Sequence, residues 1–102
     1  SPSFRSYAIE GCKIRVTFDN AEGLKPAGET VEGFYIAGCD HVFHKADAVV
    51  CGQDVIVSSP KVRFPTAVRY AWANNPVCNL YNAAGLPAIP FRTDSYVKVK
   101  NY

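Results

Sequence analysis

The most persistent feature of the chain is an alternation of apolar and polar residues with period two, the mark of strands that bury one face. In Lys13-Ile14-Arg15-Val16-Thr17-Phe18 the apolar Ile14, Val16 and Phe18 alternate with polar neighbours. Residues Phe4 to Ile9 also read as a strand, and Glu10-Gly11 between the two segments predicts a hairpin turn. Asp19 to Thr30 carries Asn20, Gly23, Pro26 and Gly28, which predict a turn-rich loop. Val31 to Ala37 returns to strand, with Phe34 and Ile36 on one face and Tyr35 and Ala37 on the other. Gly38-Cys39-Asp40 turns the chain into His41-Val42-Phe43-His44, and a second hairpin follows. It comprises Ala46 to Cys51, a turn at Gly52-Gln53, and Asp54 to Ser58. Pro60 and Pro65 frame a linker, since proline lacks the donor a central strand needs.

Thr66 to Trp72 alternates again, with Val68, Tyr70 and Trp72 opposed to Ala67, Arg69 and Ala71. From Asn74 to Pro90 the pattern dissolves into Pro76, Gly85, Pro87, Pro90 and several Asn, which predicts a long ordered loop. Loops of that length in compact domains are uncommon and usually functional. Tyr96-Val97-Lys98-Val99-Lys100 predicts a last strand, both valines inward and both lysines outward. No stretch holds an apolar stripe at helical spacing over three turns. About seven short strands in this length predict an all-β fold: a two-sheet antiparallel β-sandwich of immunoglobulin-like or fibronectin-like layout. A jelly roll is the alternative.

Composition narrows the function classes. The 102 residues fit one domain, 1–102, and 48% hydrophobic with 20% charged residues excludes a disordered chain. A net charge of +2 is too small for a phosphate-neutralising surface, so no nucleic-acid partner is expected. No apolar run approaches the roughly 18–20 residues of a membrane span. SPSFRSYAIEG has no apolar signal core, and the chain contains no Met, which together imply an excised or processed piece.

Candidate chemistry is sparse. The strained Gly-x-Ser-x-Gly turn of serine esterases is absent, and no phosphate-cradling glycine loop occurs. His41 and His44 are the two imidazoles, and at i, i+3 on a strand they would face opposite ways, which does not suit a shared metal. Cys12, Cys39, Cys51 and Cys78 lack Cys-x-x-Cys spacing; free thiols at turns and one or more disulfides both remain open. No catalytic residue, metal site or cofactor is expected. The unusual segment runs from Arg69 to Arg92. It gathers Tyr70, Trp72, Tyr81 and Phe91 with Asn74, Asn75, Asn79, Asn82 and both arginines. Aromatic faces with amides and guanidinium groups suit sugar recognition, or a carboxylate held in bidentate fashion. The same residues suit core packing, with amides fixing loop backbone.

These blocks also carry a resemblance. Arg69-Tyr70-Ala71-Trp72-Ala73-Asn74-Asn75-Pro76, Asn79-Leu80-Tyr81-Asn82, Gly85-Leu86-Pro87-Ala88 and Pro90-Phe91-Arg92-Thr93-Asp94 resemble the closing signature of sialate O-acetylesterases. Ile14 to Asp19, Gly33 to Gly38 and Val57 to Pro60 are similar to upstream pieces of that family, in the same order. The resemblance implies a parent hydrolase that removes O-acetyl groups from sialic acids. Its serine nucleophile and Asp-x-x-His pair would lie in a separate catalytic domain of the SGNH hydrolase type. No residue here matches either element, so the chain would be a non-catalytic C-terminal domain. Its partners would be that catalytic domain, met through the Trp72–Phe91 region, and O-acetylated sialic acid glycans. Its location would be periplasmic, secreted or lysosomal. Cys12 and Cys51 depart from the small polar residues usual at those turns, and Ser95 to Tyr102 runs past the usual end.

Overall fold

Ile14, Val16 and Phe18 are buried while Arg15 and Thr17 between them stay partly accessible, so the alternation of this segment is that of a one-faced strand. The computed structural model describes residues 1–71 and 79–93, and these contain ten strands and no helix. They are β1 (Ser3–Glu10), β2 (Lys13–Asp19), β3 (Lys25–Pro26), β4 (Phe34–Ala37), β5 (His44–Lys45), β6 (Asp47–Cys51), β7 (Asp54–Ser58), β8 (Ala67–Tyr70), β9 (Leu80–Tyr81) and β10 (Phe91–Arg92). Two four-stranded antiparallel sheets, β1-β2-β7-β6 and β10-β8-β4-β5, form a sandwich, and β3 with β9 makes a separate two-stranded ribbon.

The inner faces supply the core. Val16 and Ile14 of β2 continue into Val55 and Val57 of β7, against Phe34, Ile36, Val68 and Tyr70 from the other sheet. All are essentially removed from water, and each such side chain stabilises the fold by roughly 1.5–3 kcal/mol relative to exposure. Phe91 sits among the aromatic rings, stacked on Phe4 at 4.6 Å, edge-on to Phe18 at 5.8 Å and 6.3 Å from Tyr70. That cluster closes one side of the sandwich, where β1 lies over β10.

Both hairpins occur where the alternation predicts them. Gly52 and Gln53 turn β6 into β7 as expected, while the first turn is Gly11-Cys12, one residue beyond the predicted Glu10-Gly11. Gly11 and Gly52 take positive φ, 64° and 67°, as such tight turns require. The strand predicted from Val31 begins at Phe34, because Gly33 with φ 104° breaks the extended backbone before it. The strand predicted through Trp72 stops at Tyr70, where Ala71 takes a left-handed φ of 56°. His41 also has positive φ, 60°, and is a turn residue; His44 alone of the two lies in a strand. The last strand expected over 96–100 lies outside the described residues.

Candidate functional site

The residues singled out between Arg69 and Arg92 fall into three places. Tyr70 and Phe91 belong to the core, 1% and 8% exposed, and offer no ring to a ligand in this form. Arg69 and Arg92 are direct cross-strand partners on the outer face of their sheet, where β4 adds Tyr35 and β5 adds Lys45 in the same row. The Arg69 guanidinium lies 3.8 Å from the centroid of the Phe43 ring, a contact that the linear pattern did not announce. Asn79, Tyr81 and Asn82 lie at one end of the sandwich. Trp72, Asn74 and Asn75 are outside the described residues.

That end is built by loops 19–33 and 79–90, and its two conspicuous asparagines hold main chain. Asn79 Nδ2 donates to the Thr30 carbonyl at 2.8 Å, and its Oδ1 accepts from the Glu32 amide at 2.7 Å. Asn82 is buried; its Oδ1 accepts from the amides of Ala84 and Leu86 at 3.0 Å each, and its Nδ2 donates to the Asn20 carbonyl at 3.1 Å. These amides do for irregular backbone what a ladder does for a strand, since buried peptide groups need partners. The ribbon pairs Lys25 with Tyr81 and Pro26 with Leu80, and Pro26 is tolerated because the ribbon has only edges. Gly23 fits against Ala83 so closely that a Cβ would lie 2.5 Å from the Ala83 Cβ. The core reaches this end through Tyr70, whose hydroxyl accepts from the Leu80 amide at 3.1 Å. Beside the ribbon, Lys25, Pro26, Ala27, Tyr81, Asn82 and Ala83 line a shallow cleft of about 260 Å³.

The opposite end carries two further clefts, which the linear motifs did not reveal. One, about 220 Å³, is lined by Gly38, Cys39, Asp40, His44, Lys61, Val62, Arg63 and Phe64. The other, about 420 Å³, brings Ser59, His44 and Asp47 to one rim. These are the residue types of a nucleophile, base and orienter, but they are not wired as one. Ser59 Oγ accepts from the Lys61 amide at 3.1 Å, and no hydrogen bond among the described residues joins the three. Among the described residues no group of three or more His, Cys, Asp or Glu is placed to hold a metal.

Cys12, Cys39 and Cys51 are free, exposed thiols, and Cys78 lies outside the described residues. Cys12 and Cys51 sit at turns on opposite ends of one sheet, so they do not pair with each other. On the outer face of that sheet Arg15 bonds Asp54 and Glu10, each at 3.0 Å, and these bonds, Asp54 first, raise its pKa above the usual guanidinium range.

No family model matches the chain, and no curated protein matches it. Among solved structures, a carbohydrate acetylesterase from Xanthomonas citri aligns with 93% of the chain at 44% identity and a TM-score of 0.88. The chain spans 23% of the length of that protein.

Proposed function

We propose that this domain is a non-catalytic accessory module of a larger carbohydrate esterase, packed against the catalytic domain and supporting it. The observation that carries the reading is the match to one part of an acetylesterase: close in sequence and shape over nearly the whole chain, yet confined to 23% of the other protein. The main-chain-holding asparagines and the Tyr70–Leu80 bond give the 79–90 end a fixed shape, as a docking surface needs. The signature resemblance narrows the parent to esterases that remove O-acetyl groups from sialic acids, acting outside the cytoplasm. The catalytic partner would carry the serine nucleophile and the Asp-x-x-His pair, with no contribution to chemistry from this module.

The test is acetate release from O-acetylated sialosides and from an acetylated neutral saccharide. The domain alone should release none above buffer. The longer polypeptide encoded across this region should release acetate, and deleting the module should lower its thermal midpoint. Acetate release by the domain alone, blocked by serine reagents, would overturn the reading.

A second reading, a glycan-presenting module, draws on the cleft beside Tyr81, where a partly accessible ring stands next to Lys25 and Asn82. Titration of labelled domain with a sialoside separates the two. Saturable amide shifts at Tyr81 and Asn82 favour presentation of glycan, and their absence at millimolar ligand leaves the supporting role.

A further inference from the structure

We draw no further inference here: the strongest candidate, the cleft of about 220 Å³ between loops 38–43 and 59–66 where Cys39 lies with His44, Lys61 and Arg63, rests on a lone exposed cysteine, and nothing among the described residues points to a ligand there or shows what covers it.

Discussion

The two ends of the sandwich hold their loops by different means. Loops 19–33 and 79–90 are tied across long stretches of sequence: Asn82 to Asn20, Asn79 to Thr30 and Glu32, and the Ala83 amide to the Glu22 carbonyl at 2.9 Å. Loops 38–43 and 59–66 are held largely within themselves. The His41 amide reaches the Gly38 carbonyl and the Val62 amide the Ser59 carbonyl, both at 3.0 Å, while Asp40 Oδ1 accepts from the Val42 amide. One main-chain bond, from the Thr66 amide to the Ala37 carbonyl at 2.8 Å, ties loop 59–66 to the end of β4. Long-range ties form only when the whole domain has folded, and they then fix one loop relative to another. Local turns shape each loop without that, and they leave Phe64 75% exposed. Rigidity of placement is thus concentrated at the end that the resemblance also marks.

Substitutions can break or sharpen this contrast. The largest effect is expected from Tyr70→Ala, which empties a core position and also strips the Leu80 amide of its acceptor. Loss of about 3–5 kcal/mol in urea unfolding is the expected outcome. Gly23→Val should cost about 2–4 kcal/mol, since its side chain meets Ala83 and the residue has a φ of +70°. Asn82→Ala leaves the Ala84 and Leu86 amides without their acceptor and should cost about 1–3 kcal/mol by the same measurement. At the other end, Gly38→Ala would place a Cβ 3.1 Å from the Phe64 carbonyl oxygen with no φ penalty, so about 1 kcal/mol is expected. Phe64→Ser should change stability by no more than about 0.5 kcal/mol. A Phe64→Ser loss as large as that of Asn82→Ala would erase the contrast.

How much of this was legible depends on what each signal reports. Alternation reports which side of a strand is apolar, and it located β1, β2, β6, β7 and the centre of β4 and β8. It has no purchase on β3, β9 and β10, two residues each, whose existence depends on partners far away in sequence. Nor does it report what lies opposite. Tyr7 and Ile9 read like Val16 and Ile14, and the layer above them alone makes one pair accessible and the other buried. The aromatic and amide content of Arg69 to Arg92 was equally ambiguous: a Tyr or Asn in such a segment looks the same whether it meets a ligand or the chain itself. In the structure Tyr70, Phe91, Asn79 and Asn82 all meet the chain itself. The Ser59, His44 and Asp47 rim went unread because its members come from separate segments.

The Tyr70 hydroxyl has a mechanical consequence. Its bond to the Leu80 amide joins positions ten apart in sequence across 3.1 Å. A load applied to the 79–90 loop therefore enters the middle of a sheet through a phenol, and β8 takes it in shear between β4 and β10. Shear spreads such a load over several ladder bonds at once instead of unzipping them singly. Tyr70→Phe would remove this link with the core still filled, leaving the loop to the ties made by Asn79, Asn82 and the Ala83 amide.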